Sequence, residues 1–167
     1  MPGPVIIVDY DPRWPEVFEQ LRAPLAAALG DVAQTIQHVG STSVPGLAAK
    51  PIIDIDVLLM SADKLPLAIE RLVPLGYRHE GDLGVPDREA FDRPPHLPYH
   101  HLYMCPPHSA EYRRHVAFRD FLRAHPEEAN AYGALKRELA VQYRNDREGY
   151  SIAKTDFVTG ILKRALS

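Results

Sequence analysis

The sequence predicts a mixed α/β fold, in which a small mixed β-sheet with flanking helices precedes a C-terminal helical tail. Short apolar runs alternate with segments of helical periodicity over the first part of the chain, and Gly and Pro residues mark the joins between them. The last part has helical spacing nearly throughout. We therefore expect one domain over residues 1–167, with a core of about 1–108 and a helical tail of about 109–167.

The first elements of the core lead to a loop between two strands. Residues 5–8 predict a short strand or an extended arm. Apolar residues recur at close to helical spacing over residues 14–29, and Gly30 predicts the end of that helix. Residues 35–39 predict a short strand, and residues 42–51 predict the loop that follows.

The remaining core elements complete the predicted sheet. Residues 52–60 predict an apolar strand, and residues 63–75 predict a helix that ends at Gly76. Gly and Pro residues interrupt the stretch 77–98, where we expect a hairpin-like excursion or a long loop. Residues 99–104 predict one more strand.

Capping residues and a proline predict three helices in the tail. Ser109 is a candidate cap for a helix over residues 110–125. Pro126 predicts the start of a second helix, which would continue to about residue 145. Ser151 predicts the start of a third helix that runs to the C-terminus.

Composition excludes several classes of protein. Hydrophobic residues make up 46% of the chain and charged residues 25%, as in ordinary globular domains. No apolar run reaches the length needed to span a bilayer, and the first residues lack the basic start and long apolar stretch of a signal peptide. The single Cys105 excludes an internal disulfide framework. We expect a cytoplasmic protein with no membrane partner.

Charge is divided unevenly along the chain. Residues 1–110 hold 8 Lys/Arg against 14 Asp/Glu, a net charge of −6, whereas residues 111–167 hold 11 against 8, a net charge of +3. An acidic half beside a basic half suits a metal–polyphosphate ligand held between them, although helical surfaces with mixed charge give the same count. The pI near 6.2 argues against nucleic acid as a partner.

The most informative motif joins a Gly-Ser pair to two acidic residues. Gly40 and Ser41 end one short apolar run, and Asp54 and Asp56 lie inside the next. Successive side chains of a strand face opposite ways, so Asp54 and Asp56 share one face. Two adjacent carboxylates favour a cation between them, and oxygen ligands of this kind suit Mg²⁺ or Mn²⁺. Backbone N–H groups of a Gly-Ser turn suit a phosphate, so the pattern indicates phosphoryl-type transfer.

Five segments of the chain resemble a known family. They read HVGSTSVPGLAAKPIIDIDV, LGVPDREAF, HHLYMCP, HVAFRDFLRAHPEEANAYGALKRELA and YSIAKTDFV, and together they extend over nearly the whole chain. They resemble the GrpB family, a set of bacterial proteins placed in the polymerase-β-like nucleotidyltransferase superfamily. The resemblance implies a nucleotidyltransferase-like mixed sheet with the Gly-Ser pair at the end of one strand and the acidic pair on the next.

The resemblance also implies a metal site. In active members of the superfamily the acidic pair binds divalent cations, and a third acidic residue on a neighbouring strand usually completes the site. No carboxylate lies in the corresponding strand here, where His101 and Tyr103 would share one face. His101 is therefore the candidate third metal ligand beside Asp54 and Asp56, and the alternative is a histidine that only packs in the core.

Phosphate-binding candidates come from the Gly-Ser turn, from the loop between the two strands and, for Arg88 and Lys154, from the resemblance. They are Gly40, Ser41, Lys50, Arg88 and Lys154. Lys50 either faces the cleft or is solvated in its loop.

Structural roles compete with functional ones at four other side chains. Arg88 either clamps a phosphate or pairs with the adjacent Asp87. Arg119 and Lys136 are expected to lie on solvated helix faces, and His115 is expected to be structural.

The resulting hypothesis is metal-dependent nucleotidyl transfer. A nucleoside triphosphate or another phosphorylated small molecule would be the ligand, Mg²⁺ or Mn²⁺ the cofactor, and Asp54 and Asp56 the catalytic residues. The acceptor would be a small molecule or a protein. Two alternatives remain: a noncatalytic protein that binds a nucleotide or phosphometabolite, and a structural or interaction domain that uses only the fold.

Overall fold

Five strands form one mixed sheet in the computed structural model, which describes residues 3–167. The strands are β1 (Ala33–Val39), β2 (Ile53–Leu59), β3 (Arg78–Gly81), β4 (Glu89–Asp92) and β5 (His100–Cys105), in the spatial order β1-β2-β5-β4-β3. Strands β2 and β5 are parallel, and every other neighbouring pair is antiparallel. The predicted α/β class with a small mixed sheet is confirmed.

Helices precede, interrupt and follow the sheet. They are α1 (Trp14–Leu29), α2 (Leu65–Leu72), α3 (Ala110–Ala124), α4 (Pro126–Gln142), α5 (Arg147–Ala153) and α6 (Thr155–Ala165). Short 3₁₀ turns cover Gly30–Val32, Ser41–Ser43, Ala62–Lys64 and Val73–Leu75. Within residues 3–167, no helix combines the length and apolar character that crossing a membrane requires.

The tail differs from its prediction. Four helices form it rather than three, because α5 begins before Ser151, where the carboxylate of Asp146 accepts a hydrogen bond from the Gly149 N–H at 2.9 Å. The hydroxyl of Thr155 donates to the Ser151 carbonyl at 3.0 Å, a bond of the kind that bends helices. The chain therefore breaks at Lys154, between α5 and α6.

The two faces of the sheet have different roles. On one face, Ile53, Ile55 and Val57 of β2 join the main hydrophobic cluster, to which α1 and α2 contribute Leu25, Leu29, Ala68 and Leu72. Because side chains alternate along a strand, Asp54 and Asp56 project from the other face. The second face is the one that α3 covers, as the contact between His115 and Asp56 shows.

Helix α3 is fixed to β1 by a buried arginine. Arg119 is almost fully buried, and its guanidinium donates to Gln37 Oε1 at 2.8 Å and to the carbonyl oxygen of His38 at 3.0 Å. The expectation of a solvated helix face for Arg119 is therefore wrong. The sequence around it is charged, but the side chain lies on the same stripe of α3 as the buried Leu122.

Two segments extend the fold at its edges. The stretch 77–98 contains the antiparallel hairpin of β3 and β4, which continues the sheet beyond β5. Residues 5–8 form an extended arm, in which Val8 makes an isolated bridge with Ala49. The hairpin thus gives the sheet a broad second face, and the acidic pair lies near its middle.

Candidate functional site

The turn after β1 brings the backbone against the acidic pair. Gly40 has φ of +75°, a conformation that L residues with a side chain rarely adopt. A Cβ atom at this position would lie 2.2 Å from Oδ2 of Asp54. Only glycine therefore allows this approach, and Ser41 follows at the start of a 3₁₀ turn beside the carboxylate.

The two acidic residues of β2 differ in exposure. Asp54 keeps 29% of its side chain exposed, whereas the side chain of Asp56 is fully buried. Burial raises the pKa of Asp56, although the hydrogen bond from His115 opposes this change. Within the described part of the chain, Oδ1 of Asp56 is buried without a hydrogen-bond partner. An unpartnered buried carboxylate oxygen is costly, so this atom needs a partner such as a proton, a water molecule or a cation.

His101 contacts the more exposed carboxylate. It pairs with Asp54 in the register of β5 and β2, and its Nδ1 lies 2.9 Å from Asp54 Oδ1. A carboxylate only accepts hydrogen bonds, so Nδ1 carries the donated hydrogen and only Nε2 is left to reach a metal. The neighbouring His100 points to the opposite face, where its Nε2 lies 2.7 Å from the Tyr77 hydroxyl.

His115 is a site residue that the sequence analysis missed. Its Nδ1 lies 2.6 Å from Asp56 Oδ2, and its Nε2 lies 3.5 Å from Glu111 Oε2. Burial lowers the pKa of His115, but the hydrogen bond to Asp56 and the nearby carboxylates outweigh it, so the pKa is raised. The spacing could have indicated this position, since His115 precedes the buried Arg119 by one helical turn.

A basic cavity adjoins the acidic pair on the side of the Gly-Ser turn. It has a volume of about 230 Å³, and its walls include Ser41, Asp54, Lys50, Lys136 and Lys154. Among the ion pairs of residues 3–167, none joins one of these lysines to an acidic side chain. The cavity therefore presents three lysine side chains without acidic partners to an anion.

Aromatic rings hold the lysines in place. The Nζ atoms of Lys50 and Lys154 lie 4.6 and 5.1 Å from the ring centre of Tyr150, and Lys136 Nζ lies 4.5 Å from that of Tyr132. These cation–π contacts orient the ammonium groups without neutralising them. The structure therefore favours the expectation that Lys50 faces the cleft over the alternative that it is solvated in its loop.

Lys136 is the most buried of the three lysines. It is 2% exposed, so the expectation of a solvated helix face is wrong. Burial and the nearby charges of Lys154 and Lys50 lower the pKa of Lys136 to about 7. Burial and, after it, the nearby charge of Lys154 lower the pKa of Lys50 to about 8. An anionic ligand would relieve this repulsion.

Arg88 lies on the other side of the acidic pair. Its guanidinium carbon lies 4.3 Å from the ring centre of Tyr103, and its Nε is buried with no hydrogen-bond partner among the described residues. The alternative in which Asp87 pairs with Arg88 is wrong, because Asp87 contacts His108 at 3.4 Å. Arg88 does not line the basic cavity.

The structure therefore brings most of the predicted residues together. Gly40, Ser41, Lys50, Lys154, Asp54 and His101 border or adjoin one cavity, whereas Asp56 and Arg88 do not line it. Over residues 3–167, no group of three or more His, Cys, Asp and Glu side chains has the arrangement of a metal site.

We expect Gly40→Ala to destabilise the protein more than Gly46→Ala. Both glycines have positive φ, which costs an alanine about 1–2 kcal/mol, but nothing lies within 4 Å of a Cβ at Gly46. At Gly40 the clash with Asp54 should add about 1–3 kcal/mol and displace the carboxylate. Urea unfolding of both variants measures the difference, and equal losses would contradict the proposed close approach.

The fold and site define a class of protein: a mixed α/β sheet in which an interior strand, β2, carries two acids beside a three-lysine cavity. The sequence pattern of the family described as GrpB protein matches residues 4–164. The chain belongs to the GrpB family.

Named relatives agree with this assignment. The chain is 34% identical to the glutamate-rich protein GrpB of Alkalihalophilus pseudofirmus over 96% of its own length and 95% of the relative. It is 34% identical to the UPF0157 protein YqkA of Bacillus subtilis over 92% of its length, and spans 45% of that relative. A crystal structure of conserved protein GrpB from Enterococcus faecalis is similar with a TM-score of 0.87 and 36% identity, covering 96% of this chain and 97% of that one.

One relative carries the name of an enzyme. The chain is 29% identical to a dephospho-CoA kinase of Mycolicibacterium paratuberculosis over 98% of its own length, which corresponds to 46% of that protein. More than half of that relative therefore lies outside the matched region.

Proposed function

We propose that this protein is a nucleotidyltransferase that uses a divalent cation, Mg²⁺ or Mn²⁺, and a nucleoside triphosphate. One observation carries the proposal: an acidic pair, of which Asp56 is buried with an unpartnered oxygen, adjoins a cavity that presents three lysines without acidic partners. The acids suit a cation and the lysines suit phosphates. Membership of the polymerase-β-like superfamily belongs to the same proposal.

The donor set at the acidic pair fits a hard divalent cation. Asp54 and Asp56 would hold it through carboxylate oxygens, and the unpartnered Oδ1 of Asp56 supports this role. Mg²⁺ is commonly bound by one or two carboxylates together with substrate phosphates. When bound, the cation would supply positive charge that stabilises the reacting phosphate. His101 orients Asp54 through its Nδ1, and its Nε2 lies on the far side of the ring from that carboxylate.

The chain's own residues would bind and orient the triphosphate. Lys50, Lys136 and Lys154 would hold the β- and γ-phosphates in the basic cavity, with the turn at Gly40 and Ser41 beside them. The α-phosphate would then lie toward Asp54. An acceptor hydroxyl or amine would form a bond to the α-phosphorus. At the same time, the bond from the α-phosphorus to the oxygen that bridges it to the β-phosphorus would break. Pyrophosphate would leave with that electron pair, and the acceptor's proton would pass to solvent.

A second function is favoured by a different observation. Both carboxylates already accept hydrogen bonds from histidines, Asp54 from His101 and Asp56 from His115. These bonds partly satisfy the acids without metal, as expected of a noncatalytic protein that binds a nucleotide or phosphometabolite. The relative named as a dephospho-CoA kinase is consistent with a phosphorylated ligand in either case.

An assay of pyrophosphate release separates the two functions. The protein would be incubated with each nucleoside triphosphate, Mn²⁺ and the small-molecule fraction of a bacterial extract. Release that requires metal and is lost in Asp54→Asn/Asp56→Asn, but is kept in the exposed control Asp31→Asn, supports the transferase. Metal-dependent binding without release under any of these conditions favours the noncatalytic protein, and absence of binding contradicts both.

A further inference from the structure

A second and larger cavity lies over the hairpin side of the sheet. It has a volume of about 530 Å³, and Glu80, Asp92, Tyr99, His101 and Tyr103 are among the residues that line it. We refer to this cavity as the hairpin cleft. Tyr99, His101 and Tyr103 alternate with the inward-facing residues of β5, so they share the face that carries the acidic pair.

The hairpin cleft and the basic cavity meet at one side chain. His101 lines both of them, and its Nδ1 lies 2.9 Å from Asp54. Asp54 therefore lies at the border between the two cavities. No other residue is shared by their walls in the described part of the chain.

The positions of the two cavities determine the direction from which an attacking group can reach the phosphorus. Attacking and leaving oxygens lie roughly in line across the reacting phosphorus. If pyrophosphate leaves into the basic cavity, the attacking group must approach from the opposite side of the acidic pair. The hairpin cleft lies on that side. We infer, on the basis of the proposed function, that the hairpin cleft binds the acceptor and that this acceptor is a small molecule bearing an amine.

The size of the cleft indicates a small molecule. Cavities that bind small ligands commonly range over about 300–1,000 Å³, and 530 Å³ falls within this range.

The charges of the cleft differ from those of the basic cavity. Its walls carry the carboxylates of Glu80 and Asp92 and one cation, Arg93. Arg93 is held by the carbonyl oxygens of Pro94 and Leu97 at 3.3 and 3.2 Å. Asp92 pairs with Arg78 at 2.9 Å, which leaves the exposed Glu80 as the acid available to a ligand. An amine can pair with Glu80, whereas an anionic acceptor would have only Arg93, whose Nη1 already donates to two carbonyl oxygens.

The test uses two probes with the same ring and opposite charge. Amide resonances of the ¹⁵N-labelled protein would be followed during titration with tyramine and with 4-hydroxyphenylacetate. We expect tyramine to shift resonances of residues 80 and 99–103 and to bind about tenfold more tightly than the anion. Glu80→Gln should weaken tyramine binding about two- to fivefold, whereas Glu127→Gln, on the exposed surface of α4, should not change it.

Steric blocking provides a second readout. Leu83 lines the cleft and is largely exposed, and the native Cys105 is buried, so Leu83→Cys can be labelled selectively with a bulky maleimide. The label should abolish tyramine binding, and the same label on Val141→Cys, an exposed position elsewhere, should not. Absence of cleft shifts with tyramine, or equal binding of the anion, would overturn the inference.

Adding ATP·Mg²⁺ separates this inference from the proposed function. If ATP·Mg²⁺ binds at the basic cavity and leaves tyramine affinity within about twofold, both stand. If ATP·Mg²⁺ displaces tyramine, the cleft holds part of the nucleotide and the acceptor inference fails while nucleotide binding survives. If tyramine binds the cleft but ATP·Mg²⁺ shows no binding, the proposed function fails, and the cleft is an amine-binding site without the role of acceptor site.

Discussion

Replacing Lys136 with Met is expected to stabilise the protein and to remove most of its affinity for nucleoside triphosphates. Lys136 is buried in the basic cavity beside two other lysines, and its pKa is lowered to about 7. Keeping an ammonium group there costs free energy that an unbranched apolar side chain avoids. From the difference between about 7 and the ordinary 10.5, the gain is on the order of 3–5 kcal/mol at neutral and lower pH.

The stability advantage of Lys136→Met should depend on pH in a defined direction. Below about pH 7, Lys136 is protonated in both the folded and unfolded states, so the full cost of the buried charge is present. Between about 7 and 10.5 the unfolded chain still holds the proton that the folded protein has released, so stability rises with pH. The advantage of Lys136→Met should therefore be largest at and below pH 7 and disappear as the pH approaches 10.5.

Urea unfolding at pH 6, 8 and 10, with ATP titration at pH 7.5, measures both effects. The control is Lys163→Met, because Lys163 is an exposed lysine of α6 and should change neither quantity. A less stable Lys136→Met protein at every pH, or one that binds ATP as the native protein does, would contradict the role assigned to the basic cavity.

Asp56→Asn is expected to abolish the stabilisation that Mn²⁺ and ATP give together. A ligand at 100 times its Kd stabilises the folded state by about 2.7 kcal/mol, and this increment should be lost when the buried carboxylate becomes an amide. The reason is that Asp56 supplies the unpartnered oxygen on which the cation site depends. The asparagine retains the shape of the side chain but has no charge for the cation.

Thermal unfolding with and without Mn²⁺ and ATP measures this increment. Each variant is compared with its own ligand-free state, so changes in the His115 contact do not enter the result. The exposed Asp31→Asn variant should respond to the ligands as the native protein does. A normal response in Asp56→Asn would mean that the acidic pair does not hold the cation.

The local motif and the order of elements could be predicted from the sequence. Gly40 and Ser41 follow the end of β1, and Asp54 and Asp56 share one face of β2, because strand alternation and glycine conformation are properties of short segments. The hairpin within residues 77–98 followed from its Gly and Pro residues.

The contributions of the tail could not be predicted in the same way. Lys136 and His115 reach the site only because α4 and α3 dock on the second face of the sheet, and helix docking depends on tertiary contacts. A trace of this is present in the sequence: Lys136 lies on the same stripe of α4 as the buried Tyr132, Gly133 and Leu139. The position of Lys136 on this stripe indicates a buried side chain, whereas its charge led to the expectation of a solvated helix face.

Isothermal titration calorimetry of ATP tests the central claim most directly. The native protein and Asp54→Asn/Asp56→Asn would each be titrated in the presence of Mn²⁺ and, separately, of EDTA. The proposed site predicts binding by the native protein with Mn²⁺, and loss of most of that affinity on adding EDTA or on substituting the two acids. Binding that is unchanged by EDTA and by the substitutions would contradict a metal–phosphate site at the acidic pair.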